Sequence, residues 1–258
     1  MVRAPVFAGS FYPAAAPVLR RQLADFMEPI AAGAAPKALI APHAGYVYSG
    51  PVAASVYARL QAEPYIRRVV LLGPTHRVGF EGLALSQARA FATPLGEVEL
   101  DAEAARGALT LPWVGYGEWA HAQEHSLEVQ LPFLQQVLGG DFKLLPVVVG
   151  QSSAEQISRL LDLFWDETET LIVISSDLSH YHDYVTAQRL DRATTDKIEH
   201  LAYQGLSGED ACGYQPISGL LHLLQARDLR IRNIDLRNSG DTAGDKRRVV
   251  GYGAYVVN

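Results

Sequence analysis

The 258-residue chain reads as a single α/β domain: a sandwich with a mostly parallel or mixed central sheet flanked by helices. Four short apolar runs, at 37–42, 67–73, 142–150 and 170–177, lack polar alternation, which is the pattern of strands buried on both faces of a parallel sheet. Segments with helical spacing separate these runs. No Pro/Gly/Ser-rich linker, repeat or low-complexity stretch divides the chain, so one domain spanning 1–258 is expected.

Taken in order, the run KALIAP (37–42) leads into SGPVAASVYARLQA (49–62), which has a Ser cap, Pro51 near its first turn, and Val52, Val56 and Leu60 on one face. With RRVVLLG (67–73) it forms a strand–helix–strand unit, whose strand ends become neighbours if the two strands pair directly. The region 77–120, containing FEGLALS and FATPLGEVELD, reads as short strands and turns inserted at one sheet edge. Helices are expected at 124–138, 153–165, 186–204 and 216–227. Two closing strands, 229–237 and 248–257, bracket the polar loop NSGDTAGDK.

The net charge of −6, with Lys246, Arg247 and Arg248 as the only compact basic cluster, leaves no electrostatic footprint for nucleic acid. Cys212 is the only cysteine, which excludes an internal disulfide and a cysteine-rich zinc module and suits a reducing, cytoplasmic setting. Pro5, Gly9, Ser10 and Pro13 interrupt the N-terminal segment, so it does not read as a signal peptide. No apolar run approaches the roughly 18 residues of a spanning helix, and no membrane partner is expected.

The informative polar residues follow the buried strands. His43 follows ALIAP and His76 follows LLGPT; Asp177, His180 and His182 follow LIVISS, and Asp241 follows IDLRNSG. Ligands of an open α/β sheet gather outside the carboxyl ends of its strands, so these loops can share one site. Two histidines and a carboxylate from a third loop would leave coordination positions open for substrate and O2 or water. His180 suits proton movement, since the unperturbed imidazole of a histidine changes charge near working pH. Asp177 could orient a ligand histidine through its free ring N–H, or simply cap a helix.

Within HAQEHSLE, the residues His121, Glu124 and His125 match H-x-x-E-H, the inverted zinc-protease motif, although at a helix start rather than inside an established helix. In the other reading His125 and Glu128, one turn apart, face the shared pocket or cap the helix. Cys212 precedes a helix N-terminus, where the dipole could activate it or where it could be a small packed residue. Tyr46, with Phe11, Tyr12 and Tyr48, could line a pocket for a flat substrate or belong to the core. His180, Asp177 and His125 are thus the candidate catalytic groups, and Tyr46, Glu128 and Cys212 the candidate substrate-binding groups.

The stretches GSFYP (9–13), APHAGYVYSG (41–50), LLGPTH (71–76), PLGEVELD (94–101), EHSLEVQLPFL (124–134), SSDLSHY (175–181), CGYQPISGLL (212–221) and NSGDTAGDKRRVVGYGAY (238–255) occur in matching order along nearly the whole chain. Together they resemble the Memo family, whose prokaryotic members are often called AmmeMemoRadiSam system protein B. The resemblance implies a fold similar to class III extradiol dioxygenases, non-haem iron enzymes that open catechol rings. It sets His43, His76 and Asp241 on metal-ligand positions, with Asp245 as the fallback, and His180 on the position of the dioxygenases' acid/base histidine. Animal members carry a cysteine at the position matched here to Asp241, and the dioxygenases a glutamate.

The expected function is therefore a non-haem iron(II), dioxygenase-like redox enzyme, with copper or zinc as alternative metals. The alternatives are a non-catalytic peptide or phosphopeptide-binding signalling module, as animal members resemble, and a metal-dependent hydrolase. A small molecule or peptide is the expected ligand. The prokaryotic family name implies a functional association with a radical-SAM protein and an AMMECR-type protein.

Overall fold

A strand that is apolar on both faces must be covered on both faces, and the four apolar runs accordingly lie at the centre of a sheet with a layer on each side. The computed structural model describes residues 1–27, 35–60 and 65–258. In chain order the strands are β1 (Val2–Arg3), β2 (Ala38–Ala41), β3 (Arg68–Pro74), β4 (Leu83–Leu85), β5 (Ala90–Thr93), β6 (Gly96–Glu99), β7 (Val114–Tyr116), β8 (Lys143–Val149), β9 (Thr170–Ser175), β10 (His180–His182), β11 (Arg232–Asn238) and β12 (Val249–Val257). The α-helices are α1 (Ala16–Phe26), α2 (Tyr46–Tyr57), α3 (Ala102–Ala108), α4 (Glu118–His121), α5 (Leu131–Leu138), α6 (Ala154–Trp165), α7 (Tyr184–Glu199), α8 (Tyr214–Ala226) and α9 (Ser239–Thr242).

The main sheet runs β10-β12-β2-β9-β3-β8-β4-β7, and β11 also pairs with β12. Its centre, β2-β9-β3-β8, is parallel, while β12 and β4 join it antiparallel on either side, so the sheet is mixed. Strand β9 lies between β2 and β3, so the condition of direct pairing between those two is not met. Its last residue, Ser175, is in register with Ala41 and rises between the loops that carry His43 and His76.

Alternate residues of each central strand serve opposite layers. Leu39, Val69, Leu71 and Val173 pack with Leu19 and Leu23 of α1, Val52 and Val56 of α2, and Phe133 of α5. Ile40, Val70, Leu72 and Ile172 pack with Ile157 and Leu160 of α6 and Leu220 and Leu221 of α8. Each such aliphatic side chain, once buried, contributes about 1.5–3 kcal/mol. Helix α6 starts where the sequence places it, with Ser153 and Gln156 forming a reciprocal capping box.

Other boundaries move for local reasons. The helix expected from 124 begins at Leu131, after a 3-10 turn at Glu128–Gln130, because the Glu124 carboxylate holds the preceding backbone as a turn through Ser126 N. Helix α7 begins at Tyr184 because Asp183 caps it through Thr186 N, and it ends at Glu199. Helix α2 begins at Tyr46, with Pro51 inside it, and a 3-10 turn carries the chain to Leu60; residues 61 and 62 of the expected helix lie outside the described residues. In the 77–120 region, β4 and β7 extend the main sheet, while β5 and β6 join β1 in a separate three-stranded sheet. Helices α1, α3 and α4 were not expected, nor was α9, which forms within the stretch expected as the polar loop NSGDTAGDK because Asn238 and Asp241 cap it reciprocally. No helix among the described residues is long and apolar enough to cross a membrane.

Candidate metal centre

Two residues past the end of β2, His43 is buried, and its backbone N–H donates to Asp177 Oδ1 at 2.7 Å. Its ring Nδ1 lies 2.9 Å from Ser175 Oγ. The Ser175 hydroxyl donates its one proton to Ser126 O at 2.6 Å and accepts from Gln130 Nε2 at 2.7 Å. Gln130 is itself oriented by Tyr57, whose hydroxyl donates to Oε1 at 2.8 Å. With its proton committed, Ser175 Oγ can only accept from His43, which places the imidazole proton on Nδ1 and leaves an open lone pair on Nε2. Burial holds the His43 pKa well below the ordinary value, reinforced by charge at His76, so the ring is neutral.

His76, two residues past β3, is held by one carboxylate. Glu124 Oε2 accepts its backbone N–H at 2.6 Å, and Oε1 lies 2.8 Å from its Nδ1. Oε1 also accepts from Ser126 N at 2.9 Å. Burial alone would raise the Glu124 carboxyl, but the hydrogen bonds and charge of His76, with the Ser126 N–H, outweigh it and hold the group at about 2. A carboxylate on Nδ1 turns the ring so that Nε2 is the nitrogen left for a ligand, the usual support of a metal-binding histidine.

Cys212 completes the group. Its Sγ is 3.2 Å from His43 Nε2 and accepts from Asp177 N at 3.3 Å. The loop approaches this closely because residue 213 is glycine: a Cβ there would sit 2.6 Å from Ser176 Cβ. Burial, helped by the Asp177 carboxylate, pushes the Cys212 thiol far above its usual range. A ring nitrogen of each histidine and Cys212 Sγ all lie within 4.8 Å of one another. This donor set fits a transition ion, since both imidazoles are anchored through the other nitrogen and the thiol proton is one that a cation would displace.

His125 closes one side. Its ring stacks on His76 at 4.5 Å and meets His43 edge-on at 5.3 Å, with Phe11 at 4.7 Å and Phe7 at 5.6 Å behind it. Burial, then charge at His43 and His76, lowers it to about 3, and its buried Nδ1, 3.5 Å from Glu124 Oε1, makes no hydrogen bond among the described residues. His76, Glu124 and His125 form a second group with ligand atoms within 4.8 Å. His180 opens β10 close enough that its charge opposes protonation of His43 and favours the ionised form of Asp177. Asp177 is buried, which raises its pKa, and it takes the His43 backbone N–H rather than the ring.

Several residues singled out in the sequence sit elsewhere. Asp241 is exposed, accepts Asn238 N at 2.9 Å and the Tyr184 hydroxyl, and caps α9; a carboxylate that ends this strand is spent on its own helix. Asp245 is also exposed and pairs with Arg247 at 2.8 Å. Glu128 does not face the site: fully buried, it accepts from Arg3 at 2.6 Å, Val6 N at 3.1 Å, and Phe7 N and the Tyr12 hydroxyl at 2.7 Å each. Those four donors tie down the N-terminal segment and leave nothing for a substrate. Tyr46 is core, its hydroxyl donating to Val129 O at 2.6 Å and its ring against Phe133.

The H-x-x-E-H match dissolves in the same way. Helix α4 ends at His121, whose Nε2 donates to Ala84 O at 3.0 Å, while Glu124 is committed to His76. Ser175, Gln130 and Ser126, which fix the ligand rings, were not singled out in the sequence. The polar SS at the end of an otherwise apolar strand was the signal available for Ser175.

A family model described as Memo-like protein matches residues 3–256. Proteins described as MEMO1 family protein include one from Sulfolobus acidocaldarius, 37% identical over 98% of each chain, and one from Aquifex aeolicus, 38% identical over 97% of each. Another, from Methanosarcina acetivorans, is 37% identical over 99% of each chain. A crystal structure titled as uncharacterized protein JW3007 from Escherichia coli K12 matches with a TM-score of 0.54 at 13% identity, covering 85% of this chain and 98% of that one, a likeness of fold alone. With the family match running through the loops of His43, His76 and Cys212 and on to the last strand, the chain belongs to the Memo family.

Proposed function

We propose that the chain is a transition-metal protein with a dioxygenase-like redox role toward a small molecule, its ion held by His43, His76 and Cys212. The observation that carries this reading is the convergence of two ring nitrogens and a sulfur within 4.8 Å, each histidine anchored through its other nitrogen. Iron(II) is the proposed metal, with copper or zinc as alternatives, and the thiolate in place of a carboxylate favours the softer ions more than two histidines and an aspartate would. A bound ion would supply Lewis acidity and, for iron or copper, electron transfer.

The chain's own residues supply the rest. His43 and His76, each anchored through its Nδ1, are pre-oriented and need no rearrangement to bind. His125, Phe7 and Phe11 exclude water from one side. His180 is placed to take or return a proton beside Asp177. Anaerobic iron titration of wild type against His43→Ala tests the reading: affinity should fall at least tenfold in the variant, and equal, weak binding by both proteins would overturn it.

A further inference from the structure

One short segment, residues 124–130, carries supports of both histidines of the candidate centre. Glu124 holds His76 through its backbone N–H and its Nδ1. Ser126 O and Gln130 Nε2 fix the Ser175 hydroxyl, which takes the proton of His43 Nδ1. Whatever fastens this segment therefore sets where both rings point. Its own regular structure is only the 3-10 turn Glu128–Gln130, whose hydrogen bonds are poorer than those of an α-helix.

The fastening comes from the start of the chain. Arg3, with 9% of its side chain exposed, spends its guanidinium on this segment and the helix end just ahead of it. Nε donates to His121 O at 2.9 Å, Nη2 to Glu124 O at 2.9 Å and Nη1 to Glu128 Oε2 at 2.6 Å. The Phe91 ring centroid lies 5.1 Å from the guanidinium carbon, which steadies the group from one face. A planar fork fixes its three acceptors relative to one another, and one of them is the carbonyl of the residue whose carboxylate grips His76. The neighbouring chain closes on the same segment and on the loop of His43. Val6 N, Phe7 N and the Tyr12 hydroxyl donate to Glu128, and Phe11 O accepts from Tyr46 N at 2.8 Å where the helix after His43 begins.

We propose that Arg3 is a positioning residue of the candidate centre: its fork on His121 O, Glu124 O and Glu128 holds Glu124 where that carboxylate turns His76 Nε2 toward the ion. The consequence for metal affinity rests on the metal-centre reading, whereas the placement of His76 belongs to the metal-free protein as well. Arg3→Lys separates the fork from the charge, because a single ammonium beside Glu128 keeps the ion pair but cannot span both carbonyls. Glu128→Gln does the reverse, removing the ion pair and leaving the two carbonyl bonds of Arg3.

Two measurements on the full-length protein test this. In the metal-free protein, nitrogen-15 NMR of the histidine rings, with His76 assigned by its absence from His76→Gln, follows the Nδ1 proton held by Glu124. It should exchange with solvent about tenfold faster in Arg3→Lys than in wild type. Anaerobic cobalt(II) titration, read from the visible bands of the bound ion, should show affinity about tenfold lower in Arg3→Lys but within about twofold of wild type in Glu128→Gln. An unchanged exchange rate in Arg3→Lys would overturn the proposal, as would an unchanged cobalt affinity where wild type binds the ion. Equal losses of affinity in Arg3→Lys and Glu128→Gln would also overturn it, since docking of the N-terminal segment alone would then account for both. If wild type binds no cobalt, the metal-centre reading falls, and the exchange rate of the His76 proton still decides the role of Arg3.

Discussion

Ser175 does more for the candidate centre than its size suggests. By donating to Ser126 O and accepting from Gln130, it makes the choice of His43 tautomer for the molecule. Ser175→Ala should therefore leave the ligand side chains in place but free the ring proton to sit on either nitrogen. Metal affinity is expected to drop about 10–100-fold, as for other supports of ligand histidines, which a competition titration with a chelator would measure. An unchanged affinity would mean that the ring is held by other means.

His121 gives a stability test that does not involve the centre. Burial lowers its pKa to about 4, against about 6.5 in the unfolded chain, so it folds neutral with its Nε2–H on Ala84 O. Between those values the unfolded chain binds the extra proton. The associated stability is complete above about pH 6.5, declines as the pH falls, and is gone near pH 4, an effect of up to about 3 kcal/mol. His121→Gln keeps a donor for Ala84 O and does not titrate. Denaturant melts from pH 7 to 4 should show a flatter acid limb for the variant, and parallel limbs would contradict the assignment.

Between elements, the decisive contact is the approach of the loop before α8 to the end of β9. Gly213 permits it, and Gly213→Ala would drive a Cβ to 2.6 Å from Ser176 Cβ. The substitution should cost about 1–3 kcal/mol in denaturant melts and move Sγ away from the histidines, lowering metal affinity as well. Loss of stability with unaltered metal binding would separate Cys212 from the centre. The four central strands were legible in the sequence because their cores are apolar without alternation, α6 because periodicity and capping agree, and α8 from periodicity alone. Strand order was not: periodicity says nothing about β9 entering between β2 and β3.

The partial legibility of the site has the same origin. His43 and His76 could be placed together because both end central strands, although the reason is the splayed pair of loops around Ser175 and not direct pairing. Cys212 was noticed only as a residue ahead of a helix, since its partner Asp177 lies 35 positions away in sequence and the contact exists only after α7 and α8 pack. Asp241 looked like a ligand because it follows a strand, yet the same position is what a short helix needs for its cap.

For the whole molecule, an ion bound by loops from β2, β3 and the segment before α8 would link the two layers of the fold through the sheet edge. Binding to the folded state alone raises stability by about 2.7 kcal/mol when the free ion is at 100 times its Kd. Melting temperature should thus rise with anaerobic iron and return to baseline with chelator. Because the Cys212 thiol is held protonated and must lose its proton on ligation, affinity should increase as the pH rises from 6 to 8, accompanied by proton release.

Metal affinity in Cys212→Ser set against Asp241→Ala is the most direct measurement. Cys212→Ser should lose at least tenfold in anaerobic titration while Asp241→Ala stays within a factor of two or three of wild type. Strong loss in Asp241→Ala, with Cys212→Ser unaffected, would contradict a centre built from His43, His76 and Cys212.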